Sequence, residues 1–479
     1  MTLAALLLVL IAGGVLAWWS ESRGRHWPRR VGMGAIVIAL ALALMLPSAD
    51  GGWRSELRLP WIPRFGITLH LAADGLSIPL VLLTLVLGAV AALVAWQVRE
   101  RPGFFQFNLL WSLAGMVGVF VALDLFLFFV FWEVMLVPMY FLIALWGHEQ
   151  RQRAGMKFFV FTQAGGLMLL AAIVGLVLVA AAGREGISFD YFDLLGVPLG
   201  EAAPWLAAGF LAAFLVKLPA VPLHSWLPDA HTQAPTAGSV LLAGVLLKTG
   251  GYGLLRFVLP LFPGPMQTAA PFFMALGVVA IVYGAVLAFA QQDVKRLVAY
   301  TSVSHMGFVL LAVFAWNVTA WQGALVQMLA HGLATGALFV IAGALQDRLH
   351  SRDLGVMGGL TAQVPRLTAF GMFFAVAAFG LPGLGTFLGE FLSLLGAFQA
   401  NVALAAVAAS GMVLSAIYAL SLVQRAFHGE PRERALRDLG RRETGVLAFM
   451  AVGLLWLGLA PQPVLALAAV PLQWLAGIR

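Results

Sequence analysis

The sequence predicts an all-α polytopic membrane protein of about fourteen transmembrane helices. Three observations predict it. The 479 residues are 62% hydrophobic and only 10% charged, with mean hydropathy +0.95, where soluble domains carry about 25% charged residues. Apolar segments of spanning length recur along the whole chain. The basic residues between them gather on alternate sides.

The first segment, "MTLAALLLVLIAGGVLAWW", has its arginines after it, in "SESRGRHWPRR". A cleaved signal peptide has the opposite order, so an uncleaved first helix with its N-terminus outside is expected. Trp18, Trp19 and Trp96 fall where interface anchors belong. Further spans are expected near 31–47, 76–96, 105–122, 125–147, 155–182, 203–218, 236–259, 270–290, 296–315, 319–345, 367–399, 403–427 and 444–470. No stretch between them is large enough for a soluble domain. Alternating sides puts twenty of the 28 Lys and Arg inside, Lys295 and Arg296 among them. Six fall outside: Arg54, Arg58, Arg64, Arg184, Arg256 and Arg479. Slipping the count by one helix destroys this asymmetry, so both termini are expected outside. With no cysteine, the chain can hold no disulfide, thiolate-bound iron–sulfur cluster or Cys-attached haem.

Two basic residues belong to neither side. Lys217 and Lys248 lie in apolar runs, where a charge costs about 2.5–3.5 kcal/mol on insertion scales. Glu133, Glu390, His305 and His331 are equally deep. These six, on six different spans, are the candidate proton-translocation residues. Structural readings compete: Glu133 and Lys217 as an ion pair fixing helix packing, Lys248 snorkelling from a helix end, and the histidines as core hydrogen-bonding groups. Asp124 reads as a helix-end residue. His224, Asp229 and His231 match no common zinc spacing.

"FLVKLPAVPLHSWLPDAH" places Lys217 beside Pro219 and Pro222. Each proline removes an N–H and collides with the carbonyl four residues earlier. Free carbonyls beside Lys217 are therefore expected, either buried in protein or lining a wet cavity. "AAFGLPGLGTFLGEF" repeats the break around Pro382, with Glu390 following. The two interrupted spans, the seventh and twelfth, are five apart. Interrupted helices at corresponding positions point to two inverted repeats. The expected units are 105–259 (spans 4–8) and 260–427 (spans 9–13), preceded by three helices in 1–104 and followed by a cytoplasmic loop and last helix in 428–479.

"FFVFWEVMLVPMYFLIALWG", "KLPAVPLHSWLPDAHTQAPTAGSVLLAGVLLKTGGYGLLRF", "KRLVAYTSVSHMGFV" and "GLPGLGTFLGEFLSLLGAF" resemble the antiporter-like membrane subunits of respiratory complex I. The resemblance runs from the third span onward. It implies fourteen helices, two inverted five-helix units, proton translocation and a bacterial inner membrane. By motif, Glu133 resembles the family's glutamate that pairs with the lysine of the broken seventh helix, here Lys217. Lys248 resembles the eighth-helix lysine joining the half-channels. His305 and His331 would continue the relay, and Glu390 would end it, where the L and N types are expected to carry lysine. The L type also has a long lateral helix after its final spans, which this sequence lacks. The resemblance implies other membrane-arm subunits, of L and N types, as partners. FMN, iron–sulfur clusters and quinone would sit in partner subunits, with no cofactor in this chain. Three other readings remain at this stage: a subunit of a multisubunit sodium/proton antiporter, the membrane arm of a hydrogenase or ferredoxin-linked complex, and a membrane cytochrome holding haem through His305 and His331.

Overall fold

A computed structural model of the chain describes residues 1–46, 52–183, 186–430 and 436–477. Arg184, Arg432, Arg434 and Arg479, used in the charge count, lie outside the described residues.

Among the described residues, twelve helices are long and apolar enough to cross a membrane. Thr2–Arg23, Trp27–Leu44, Ser77–Gln97, Pro102–Val121, Leu125–Trp146 and Arg151–Ala181 are spans 1 to 6. Thr236–Leu261, Pro263–Phe289, Val294–Val313 and Val318–Leu349 are spans 8 to 11, and Val402–Ala426 and Arg441–Leu459 are spans 13 and 14. Spans 7 and 12 are each two shorter helices. Span 7 is Ala203–Lys217 then Trp226–Gln233, and span 12 is Pro365–Ala378 then Gly385–Ala400. Span 8 is enclosed along its whole apolar window, and spans 10 and 11 nearly so. Polar groups on those three therefore face protein rather than lipid.

Two matched brackets organise the bundle. At the start of span 5, Asp124 accepts from the backbone N–H of Phe126 and Leu127. At the start of span 10, Asp293 accepts from Lys295 and Arg296. Each cap satisfies donors that a helix start leaves unpaired. Each also pairs with an aspartate beyond the following span: Asp124 bridges Asp190, and Asp293 bridges Asp353. The backbone bonds correspond one for one. Leu125 N donates to Phe189 O and Tyr191 N to Leu123 O; Val294 N donates to Arg352 O and Leu354 N to Gln292 O. Spans 5 and 10 run in opposite directions, so the brackets sit on opposite faces.

The fold is helical as expected, with one addition and three corrections. The addition is an antiparallel hairpin, Arg54–Ile62 (β1) and Ile67–Ala73 (β2). It is tied down by side chains the helices present. Asp124 Oδ2 accepts from Thr68 N at 2.7 Å, and His70 Nδ1 meets Asp190 Oδ2 at 2.6 Å. The last span is not continuous over 444–470. Pro461 stops it after Leu459, and a separate helix, Gln462–Ala476, follows. Its Leu467 carbonyl sits against Gly75, where a Cβ would leave no room. Arg256 is no loop residue. It lies inside span 8, 3% exposed, ion-paired with Asp74 and bonded to Tyr252 OH at 3.2 Å. Lys295 is likewise fully buried in the first turn of span 10. Both lie too near span ends for apolar flanks to distinguish them from interfacial charges.

Candidate functional site

Four of the six intramembrane residues form one connected line. Lys248 Nζ donates to His331 Nδ1 at 2.6 Å and also to the Ala243 carbonyl. The His331 and His305 rings lie edge to face, 5.5 Å between centroids. His305 Nδ1 meets Glu390 Oε1 at 2.9 Å. All four side chains are essentially buried. The line crosses spans 8, 11, 10 and 12, so tertiary packing assembles it.

Span 8 is built to present its lysine. Residues 242–246 and 254–258 are wound as π-turns on either side of Lys248. Such widened turns are frequent at functional sites. The carbonyl that Lys248 reaches belongs to the first of them.

Sequence reasoning missed two members of the cluster. Gln327 Nε2 donates to Glu390 Oε1 at 3.3 Å and lies 3.4 Å from His305 Nδ1. Tyr418 OH is 3.2 Å from His305 Nε2. Gln327 was findable: it precedes His331 by four residues, on the same helix face. Tyr418 is a lone phenol in an apolar helix, and nothing local marks it.

Glu133 and Lys217 form a second group, looser than expected. Among the described residues Lys217 Nζ is buried with no hydrogen-bond partner, 5.2 Å from the Trp132 ring centroid and 5.5 Å from that of Phe158. Glu133 is within electrostatic range of it and is reached by the Gln163 side chain. Among the described residues the two make no contact ion pair; Glu133 Oε1 is also unpartnered. Gly166 leaves room for this carboxylate, since a Cβ there would come 2.6 Å from Glu133 Oε1. The lysine-bearing spans do touch, because Gly250 packs against the Phe214 carbonyl and Leu218 N.

The breaks are real, but four of the carbonyls beside them have donors. Ala220 N donates to Leu215 O at 2.9 Å and Trp226 Nε1 to Val216 O at 2.9 Å. In span 12, Thr386 Oγ1 donates to Ala377 O at 2.6 Å and Tyr418 OH to Ala378 O at 3.5 Å. Buried carbonyls find donors, here from residues just past the break or on a neighbouring helix. Lys217 therefore faces aromatic rings rather than open carbonyls. The two charges also differ in placement. Lys217 ends the half before its break, whereas Glu390 lies in the half after. Glu390 still touches the break, for Gly380, at φ +76°, would bring a Cβ to 2.8 Å from Glu390 Oε2.

A third polar group lies toward the face opposite the hairpin. Lys295 Nζ is 3.2 Å from His148 Nε2 and donates to Ala234 O at 3.2 Å, and Gln346 Nε2 is 3.4 Å from His148 Nδ1. His231 is buried, stacked on Phe339 at 4.4 Å, within electrostatic reach of both Lys295 and Lys248. His224 packs edge-on to Tyr283, and Asp229 is held by Lys157 at 2.6 Å and Arg296 at 3.2 Å. The three therefore point to different neighbours. Burial, with Lys295 and Arg352 adding to it, pushes the His148 imidazole down to about 4. A folded pKa below the unfolded value of about 6.5 means that folding favours the neutral ring. That contribution is whole above pH 6.5 and is lost as pH falls from there toward 4. Thermal unfolding of the detergent-solubilised protein should show this acid sensitivity, and His148→Gln should reduce it.

Residues 122–417 match the family described as NADH:quinone oxidoreductase/Mrp antiporter, transmembrane. NADH-quinone oxidoreductase subunit M of Pseudomonas aeruginosa is 48% identical, covering 99% of this chain and 98% of its own. A chain of respiratory complex I from Thermus thermophilus with bound NADH superposes with TM-score 0.90 at 34% identity, over 99% of this chain and 100% of that one. A chain of the Mrp complex from Dietzia sp. superposes with TM-score 0.87 at 21% identity, over 99% of this chain and 97% of that one. That last likeness is one of fold.

Proposed function

The chain belongs to the NADH:quinone oxidoreductase/Mrp antiporter membrane family, and we propose that it moves protons along the line Lys248–His331–His305–Glu390, gated by Glu133 and Lys217. It is a proton-translocating membrane subunit of NADH:quinone oxidoreductase, and it works inside a multisubunit complex. The sodium/proton antiporter reading shares the family match and the fold, whereas the 48% identical relative is a subunit of NADH-quinone oxidoreductase. The reading as the membrane arm of a hydrogenase-type or ferredoxin-linked complex rests on a likeness of 26% identity to a chain of an archaeal respiratory membrane complex. The haem reading gives no role to Lys248 and Glu390, which hold the two histidines.

The observation that carries the proposal is the buried line itself: two hydrogen-bonded pairs whose histidine rings meet edge to face. Lys248 against His331, and His305 against Glu390, are pairs in which a proton on either partner is held by the other. Uptake begins at the basic face, taken as the cytoplasmic side of a bacterial inner membrane. His148, Lys295 and His231 lie between that face and Lys248. Redox chemistry, with FMN, iron–sulfur clusters and quinone, belongs to partner subunits; this chain has no cysteine for a cluster. A charge change arriving through a neighbouring antiporter-like subunit, of the L or N type, alters the field between Glu133 and Lys217. Lys217 has no fixed hydrogen-bond partner to hold its proton in place, so that field decides whether it is kept. The proton then passes by Lys248 and the histidines to Glu390 and leaves on the hairpin side. Each charge moved works against about 2.3 kcal/mol per 100 mV. Two units related by inversion, 105–259 and 260–427, would give each half a broken helix; the matched Asp124–Asp190 and Asp293–Asp353 brackets support that division.

The test is Glu133→Gln. The amide keeps the shape beside Gly166 and Gln163 but removes the charge that Lys217 senses. Because the two groups are not in contact, pumping should fall several-fold rather than vanish, with assembly unchanged on native gels. Proton uptake by vesicles during NADH oxidation measures it, and Glu133→Asp should retain more than the amide. Full pumping by an assembled Glu133→Gln complex would remove Glu133 from the mechanism.

A further inference from the structure

Three cavities join end to end along span 14. The first, about 960 Å³, opens on the basic face among Asp347, Arg348, Arg437, Arg441, Arg442 and Glu443. The second, about 350 Å³, shares Arg441 and Arg442 with it and continues between spans 2, 3 and 14, past Leu40, Ala89 and Phe449. The third, about 520 Å³, shares Val86 and Phe449 with the second and ends among Leu44, Leu333, Trp456 and Leu467, walled by apolar side chains. Each volume falls in the range of about 300–1,000 Å³ typical of ligand sites.

The charges at the mouth are unequally satisfied. Arg348 is bound to Glu443 at 2.8 Å, and Glu443 also accepts from Gly440 N at the helix start. Among the described residues the guanidinium groups of Arg437, Arg441 and Arg442 make no ion pair. Asp347 is the other carboxylate there, and its charge is shared with Arg348 and Lys295. The start of span 14 adds the positive end of a helix dipole. From Arg441 to Trp456 the groove follows about 22 Å of helix, more than half of a hydrocarbon core about 30 Å thick. It is thus cationic at the membrane surface and apolar through one leaflet and beyond.

We propose that this groove binds one anionic diacyl phospholipid, with its phosphate at Arg441 and Arg442 and an acyl chain along Ala89, Phe449 and Trp456. The gradient selects an amphiphile. A soluble anion would leave the apolar length unused. A helix from a partner subunit would gain nothing from guanidinium groups without an ion pair among the described residues unless it were acidic at that depth.

The test counts lipids on the intact purified complex by native mass spectrometry, after delipidation and titration with phosphatidylglycerol. Wild type should bind one more phosphatidylglycerol, at low concentration, than either of two variants. Arg441→Gln/Arg442→Gln removes the charges and should weaken that copy roughly tenfold or more, at about 1 kcal/mol per basic residue near the surface. Gly445→Trp leaves the charges but fills the second cavity, where a Cβ at Gly445 meets nothing within 4 Å. It should lose the same copy. Phosphatidylcholine should bind at least tenfold more weakly, and inorganic phosphate should not displace the lipid. Equal lipid counts in wild type and both variants would overturn the proposal. So would displacement by phosphate, equal binding of phosphatidylcholine, or a photo-crosslinker at Phe449 that captures a partner chain in place of lipid.

Discussion

Lys248→Met should leave an assembled complex whose proton-to-electron ratio loses the share this chain contributes, with translocation through it falling to roughly a tenth or less. Lys248 is fully buried and is the donor that opens the line to His331. Methionine has similar length and packs well in apolar surroundings. Replacing a buried ion by a well-packed apolar residue is often neutral for stability, so the loss is not one of folding. His331 Nδ1 is left without its donor at a cost of about 1–3 kcal/mol, small against the packing of spans 8, 10 and 11. Lys248→Arg is the sharper companion. A guanidinium keeps the charge but does not give up its proton. If Lys248 exchanges a proton, arginine should pump as poorly as methionine. If the site supplies only a fixed positive charge, arginine should pump nearly as well as wild type, and the relay role would be lost. Proton uptake and NADH oxidation in vesicles, with assembly followed on native gels, distinguish the two.

What the sequence could say about this site depended on depth. Six ionisable groups with long apolar flanks stood out, since at mid-membrane a charge without a use is too costly to keep. Four of them are in line in the fold. Lys295 and Arg256 were misplaced because both lie within a turn or two of a span end, where hydropathy cannot tell a buried charge from a wetted one. The Leu-Pro breaks were legible because proline acts locally. The donors that fill the broken carbonyls were not: Trp226 and Tyr418 arrive from ten and forty residues away. The hairpin escaped for a related reason. Its register is held by Asp124 and Asp190, at the starts of two distant helices. The Glu133–Lys217 pairing was inferred from charge, and charge sets attraction without setting distance. Trp132 and Phe158 hold the lysine instead.

Glu390→Ala should impair translocation as severely as Lys248→Met, whereas Glu390→Lys should keep a measurable part of it. In the native fold Glu390 Oε1 takes contacts from His305 and Gln327, and Oε2 lies at the Gly380 turn with no hydrogen-bond partner among the described residues. Alanine removes the group that exchanges a proton with His305 and leaves a cavity between spans 11 and 12. Lysine brings an ammonium to a histidine nitrogen, and the protein already contains that arrangement: Lys248 Nζ sits 2.6 Å from His331 Nδ1, close to the 2.9 Å of Glu390 to His305. A buried lysine beside a neutral imidazole can therefore stand where a carboxylate stood, with the proton carried as ammonium instead of carboxylic acid. Gln327 loses an acceptor for its amide but keeps its carbonyl to receive the new N–H. Its cost should be part of the rate and not the whole. The ranking wild type, then lysine, then alanine is the expected result for proton-to-electron ratios in assembled complexes. Alanine pumping at the wild-type level would make Glu390 a packing residue and move the exit elsewhere. Lysine and alanine equally inactive would mean that the exit needs a negative charge rather than an exchangeable proton.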